Sequence, residues 1–233
     1  MMNQLRVEFY KLTRFLGIYF TMAFLAGMGG YCGYSLLNTP DITSTNMVFQ
    51  EVIGDTSLMI ITFSVIAWFL GKDFSTRTIQ NEIRIGYSRE SIFISRCVVT
   101  FFVTVLMHFV WVASNCLGFT LKYGIDFSIF QSTNLAWLIT VFLQVMALSS
   151  VTVMIEFFVK NASVAIVVNV IFVLITCNLM RNIVDMKMYQ ITCFGLAQSG
   201  SWEVLFPAML SAIATIFVFG MITCLGFRKA EVK

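Results

Sequence analysis

Apolar residues fall in six long runs, at 15–37, 48–71, 97–120, 134–158, 162–180 and 205–227, with polar punctuation between them. Each is close to the roughly 20 residues a helix needs to cross about 30 Å of hydrocarbon at 1.5 Å per residue. The pattern predicts an all-α membrane protein with six transmembrane helices. Gly27, Gly29, Gly30 and Gly33 interrupt the first run softly, which membrane helices tolerate. That run is too long for a signal-peptide core and no small-x-small site closes it, so it reads as a retained span. Gly29 and Gly33 make a GxxxG packing signal. The second run carries Glu51 and Asp55 at its outer end. They are a candidate cation pair, though exposed carboxylates commonly bind nothing specific.

Three polar stretches complete the frame. Residues 2–14 place Met2, Leu5, Phe9 and Leu12 on one helical face, with Lys11 and Arg14 opposite. This is the pattern of an interfacial helix with its basic face toward anionic lipid. Residues 72–96 form the largest charged block. The segment 181–204 is longer than a turn requires and mixes Tyr189, Ile191, Phe194, Leu196 and Trp202 with polar residues. It fits a re-entrant or interfacial element and a loop equally.

Composition agrees with membrane embedding: 58% of residues are hydrophobic and 12% charged, with 24 Phe. A soluble domain needs far more polar surface. Charge sets the orientation. With the N-terminus inside, 12 of the 15 Lys and Arg are cytoplasmic, and only Lys122, Arg181 and Lys187 fall outside. The 12 acids divide evenly, so the bias belongs to basic residues. The expectation is a multi-pass protein with both termini and the 72–96 block in the cytosol. Six scattered Cys show no CxxC spacing and read as small buried hydrophobes, with Cys193 in an outer loop. No metal site is expected, and no basic run suggests nucleic acid. One His, no HExxH and no GxSxG leave membrane hydrolase chemistry without its parts, so no catalytic residue is assigned.

The 72–96 block predicts a short amphipathic helix capped by Asp73 or Ser75, with Phe74, Ile79 and Ile83 on its apolar stripe. Arg77, Glu82 and Arg84 project elsewhere, and Gly86 ends the helix. Ser88 starts a second helix that runs into the third span. A charged knob braced on two spans suits docking to a soluble partner. The stretch resembles the coupling segment of ABC transporter permeases of the type-2 export class. The matching residues are Asp73, Phe74, Thr78, Ile79, Gly86, Ser88, Arg89 and Arg96; Arg77 stands where those permeases commonly carry Gly. An amphipathic N-terminal helix, six spans and a long segment before the sixth extend the resemblance over the whole chain.

The resemblance implies a single permease domain in a bacterial plasma membrane, paired with a second permease chain, identical or related, and with a separate cytosolic ABC ATPase. It implies that Arg77, Glu82 and Arg84 take part in docking that ATPase. ATP and Mg would be bound in the partner, since the chain has no GxxxxGK[ST] loop and no cofactor of its own is expected. Small permeases of this kind often export antimicrobial peptides or confer immunity to them, so the implied cargo is a hydrophobic or amphipathic peptide. The alternative is a non-transporting scaffold or sensor subunit that recruits a cytosolic protein through the same loop. His108, Asn115, Gln144 and Asn169 lie within apolar runs. They read first as interhelical hydrogen bonds and second as pathway residues. Glu156 and Lys160, four apart, are expected to pair.

Overall fold

The structure is a computed structural model, which describes residues 2–36, 42, 44–57, 59–124, 131–176, 180–192 and 195–229. These are helical almost throughout, with no strand among them. In chain order the helices are α1 (Met2–Arg14), α2 (Leu16–Tyr31), α3 (Thr45–Ile53), α4 (Met59–Ser75), α5 (Thr78–Arg84) and α6 (Arg89–Tyr123). Then follow α7 (Ser132–Val159), α8 (Ala162–Leu174), α9 (Met180–Ile183), α10 (Met186–Ile191) and α11 (Trp202–Lys229). A π-helical turn, Cys32–Leu36, closes α2.

Among the described residues, four helical stretches are long and apolar enough to cross a membrane: Leu16–Ser35, Arg89–Tyr123, Ser132–Val159 and Trp202–Lys229. Between them α4 is apolar and bends by 54° into α5, and α8 is a shorter apolar helix. The outer surface of the bundle supports membrane embedding. Phe206, Leu210, Ile213, Phe217 and Met221 form an exposed stripe on α11, and Phe20 of α2 is 73% exposed. Apolar surface this continuous is not tolerated in water.

The second apolar run, expected as one helix over 48–71, is two. Gly54 caps α3, the chain turns through Asp55–Ser57, and α4 begins at Met59. Asp55 Oδ1 accepts from the backbone N–H of Ser57. This local bond competes with helix continuation. Glu51 and Asp55 line an open cavity of about 680 Å³ beside this turn.

The long helix α6 is the spine, touching α1, α2, α3, α4, α5, α7 and α11. Glycines let α2 approach it. A Cβ on Gly29 would lie 2.0 Å from Ser114 Oγ, and one on Gly33 would lie 2.0 Å from the Asn115 carbonyl oxygen. The GxxxG pair is therefore a contact face within the chain. Gly71 of α4 likewise meets α8: its Cβ would sit 2.5 Å from Ala162 Cα.

The 181–204 segment folds back into the bundle. Tyr189, Leu196 and Ala197 are buried. Gln144 holds this return from both sides, donating to the Gln190 carbonyl at 2.7 Å and accepting from the Ala197 N–H at 2.8 Å. Trp137 Nε1 donates to the Ala197 carbonyl at 2.7 Å. The described part of this segment is therefore packed against the bundle. Cys177, Cys193 and Phe194 lie outside the described residues.

Candidate functional site: a charged knot beneath the 72–96 segment

The end of α4, α5 and the start of α6 follow the expected helix–turn–helix, with different caps. Asp73 and Ser75 do not cap α5; they belong to the last turn of α4, which runs on to Ser75. Arg77 precedes α5 in the left-handed region, φ 56°. Glycine occupies this conformation without a steric cost, whereas an L-residue pays one. Ile85 closes α5, and Gly86, at φ 100°, turns the chain. Ser88 is the N-cap of α6, its hydroxyl accepting from the Ser91 N–H at 3.2 Å.

Beneath the loop lies Arg96, fully buried. Its Nη2 donates to Asp73 Oδ2 at 2.7 Å and its Nη1 to Glu82 Oε2 at 3.0 Å. Glu8 Oε1 of α1 lies 3.5 Å away. Lys11 closes the group, donating from Nζ to Glu8 at 2.8 Å, Glu82 at 3.0 Å and Asp73 at 3.2 Å. Three carboxylates and two bases thus join α1, α4, α5 and α6. In the sequence Arg96 stands out only as part of a motif, and nothing local to it marks Glu8 or Lys11 as its neighbours. One signal was available: Gln4, Glu8 and Lys11 make a polar stripe along α1.

Two expectations are corrected by this knot. Glu82 does not point outward with Arg77 and Arg84; it turns inward because a buried guanidinium needs carboxylates. Lys11 is not opposite the buried face of α1. The inward residues are Gln4, Glu8 and Leu12, with Lys11 half-buried beside them, while Val7 and Tyr10 are exposed. Arg14 stays outside, its guanidinium 4.8 Å above the Tyr10 ring.

The electrostatics differ among the members. At Glu82 burial pushes the pKa up, but Arg96, by charge and hydrogen bond, and then Lys11 outweigh it, so the net shift is down. At Glu8 burial prevails over Arg96 and Lys11, and the net shift is up. At Lys11 burial works downward but the carboxylates Asp73 and Glu8 win, so the pKa rises.

The remaining candidates divide. Phe74 packs edge-on against Phe157 at 5.3 Å, and Phe157 also meets Phe93 and Phe227, which ties four helices together below the knot. Ile79 is buried, and Ile83 and Thr78 are half-buried. Arg89 donates to the carbonyls of Phe227 and Arg228, and Arg228 pairs with Glu90. The ends of α1 and α11 therefore gather at the same end of the bundle as α5. Arg77, Arg84, Ile85 and Gly86 are exposed.

Of the buried polar residues, His108 and Gln144 bridge elements. His108 Nε2 lies 3.1 Å from the Ile53 carbonyl, which can only accept, so that nitrogen carries the proton. Asn115 and Asn169 bond to carbonyls of their own helices, Trp111 and Ala165. Glu156 does not pair with Lys160. Lys160 leaves α7 in the left-handed conformation, φ 54°, and both oxygens of the buried Glu156 lack hydrogen-bond partners. The knot carboxylates are occupied by Arg96 and Lys11, and no group among the described residues is arranged to hold a metal ion. No protein-family model matches this chain, and no curated protein matches it.

Proposed function

We propose that this chain is the membrane-spanning subunit of an ATP-driven exporter, with α5 as the element on which a soluble ATPase docks. One observation carries the reading. The short helix α5 is ion-paired through Glu82 to Arg96, near the start of the 35-residue helix α6. A push on α5 is thereby delivered into the spine of the bundle. The resemblance in residues 73–89 and at Arg96 supplies the class of partner.

On this reading the six spans are Leu16–Ser35, α3 with α4, α6, α7, α8 and α11. Both termini and α5 face the cytosol of a bacterial cell, as the basic-residue bias requires. A second permease chain completes the path. The cargo is a hydrophobic or amphipathic peptide. The face of α5 narrows the partner: its acid Glu82 turns inward while Arg77, Arg84 and the apolar Ile85 point outward. The complementary ATPase surface is acidic with an apolar socket.

The test is a pull-down in mild detergent followed by ATPase assay. Wild type retains an ABC ATPase, and Arg77→Glu with Arg84→Glu reduces retention at least tenfold, more at low salt than at high. Retention unchanged after replacement of residues 76–86, or no ATPase retained by wild type, overturns the assignment.

A further inference from the structure

We propose that the knot binds a proton at Glu8, and that loss of this proton unclasps α1 from α5 and α6. The inference deepens the reading above, on which it rests only for its effect on coupling; the clasp itself belongs to this chain alone.

Among the described residues, Glu8, Asp73 and Glu82 face only Lys11 and Arg96, so a fully ionised knot carries one negative charge in excess. These five are the ionisable groups that α1, α4, α5 and α6 bring together there. A buried excess charge is costly, and a proton removes it.

Geometry then selects the acid. Asp73 and Glu82 have 13% side-chain exposure and are gripped by Arg96 at 2.7 and 3.0 Å. Glu8 has 2% exposure, stands 3.5 Å from Arg96, and its Oε2 has no hydrogen-bond partner. It is the driest carboxylate and the least compensated by the guanidinium. One turn earlier, Gln4 Nε2 is also buried without a partner. The inward face of α1 therefore holds two unsatisfied polar atoms, and what it gives up on leaving is the Lys11 bonds to Asp73 and Glu82 and the Ser91 bond to Gln4.

The linkage has a definite sign. The Glu8 pKa is raised when α1 is docked, chiefly by burial. Docking strength from this proton is complete below the ordinary carboxylate range and is lost as pH rises through the raised value. Lys11, charged across this range, goes with α1 and takes a counter-charge from Glu82. Acid holds the clasp shut and alkali opens it. For the coupled transporter this makes the α5 mounting stiffer at low cytosolic pH.

The test uses the full chain in neutral-lipid nanodiscs, with the native cysteines replaced and nitroxides at Asn3→Cys and Thr76→Cys, both exposed sites. Wild type is expected to show one short distance at mildly acid pH and to gain a longer population at alkaline pH. Glu8→Gln, a permanent mimic of the protonated form, is expected to stay short throughout. Glu82→Gln removes the excess charge by another route and should also lose the pH response. A wild-type distance that does not change with pH, or a Glu8→Gln chain that opens as wild type does, overturns the clasp. Neither result touches the pull-down on Arg77 and Arg84. Conversely, absence of an ATPase partner would leave a pH-dependent distance standing.

Discussion

Arg96 holds Glu82 with both arms of its guanidinium, Nη1 to Oε2 at 3.0 Å and Nη2 to Oε1 at 3.2 Å. The two residues come from different helices, and the pair sits beneath the loop. Removing the guanidinium leaves three carboxylates with Lys11 as their one cation in the knot. We expect Arg96→Met to cost about 3–5 kcal/mol, the range for breaking a buried ion pair from one side. Thermal unfolding in detergent measures it. Arg96→Met combined with Glu82→Leu should recover part of the loss, since the stranded acid is gone.

Glu82 also gives stability an acid limb. Its pKa is depressed in the fold, so its contribution is full above the ordinary carboxylate range and is lost as pH falls through the depressed value. Melting temperature should drop in acid for wild type and drop less for Glu82→Gln. This slope is opposite to that of the Glu8 clasp, so the two groups separate in one pH series.

Arg77 offers a way to divide stability from docking. Its φ of 56° is the left-handed region. Arg77→Gly should leave stability unchanged or raise it by up to about 1 kcal/mol. Arg77→Val should lower it, because a β-branched residue fits that region worst. If Arg77 docks a partner, both variants weaken retention of the ATPase despite their opposite effects on melting.

Gln144 clamps the chain between α10 and α11 through one donor and one acceptor bond. Gln144→Leu leaves the Gln190 carbonyl and Ala197 N–H without these partners inside the bundle, at about 1–3 kcal/mol each. The expected outcome is release of residues 186–201, read as faster proteolysis there with α7 still protected. Equal cleavage rates in wild type and variant would show that Trp137 alone suffices.

The apolar runs disclosed helix type because lipid-facing and core-facing residues are both hydrophobic, so a membrane helix announces itself by length. The same uniformity hid the break at Gly54, where a local Asp55–Ser57 bond decides and hydropathy barely changes. The loop was legible at Ser88 and Gly86, whose roles depend on neighbours in sequence. Its inner face was not. Glu82 turns toward Arg96, 14 positions on along the chain, and Lys11 toward Asp73 and Glu82, 62 and 71 positions on. Periodicity carries no information about such distant charges. Glu156 and Lys160 show the converse: correct helical spacing fails when the second residue ends the helix.

The single helix α6 gives the knot mechanical advantage. From Arg96 to Tyr123 it runs unbroken, roughly 40 Å at 1.5 Å per residue. A rod of that length turned by about 5° at one end displaces the other by about 3.5 Å, more than the width of a water molecule. The glycine contacts of α2 against Ser114 and Asn115, and the His108 bond to Ile53, lie along that lever arm. A small rotation imposed at the charged end is therefore spent as a sideways stroke where α2 and α3 meet the spine.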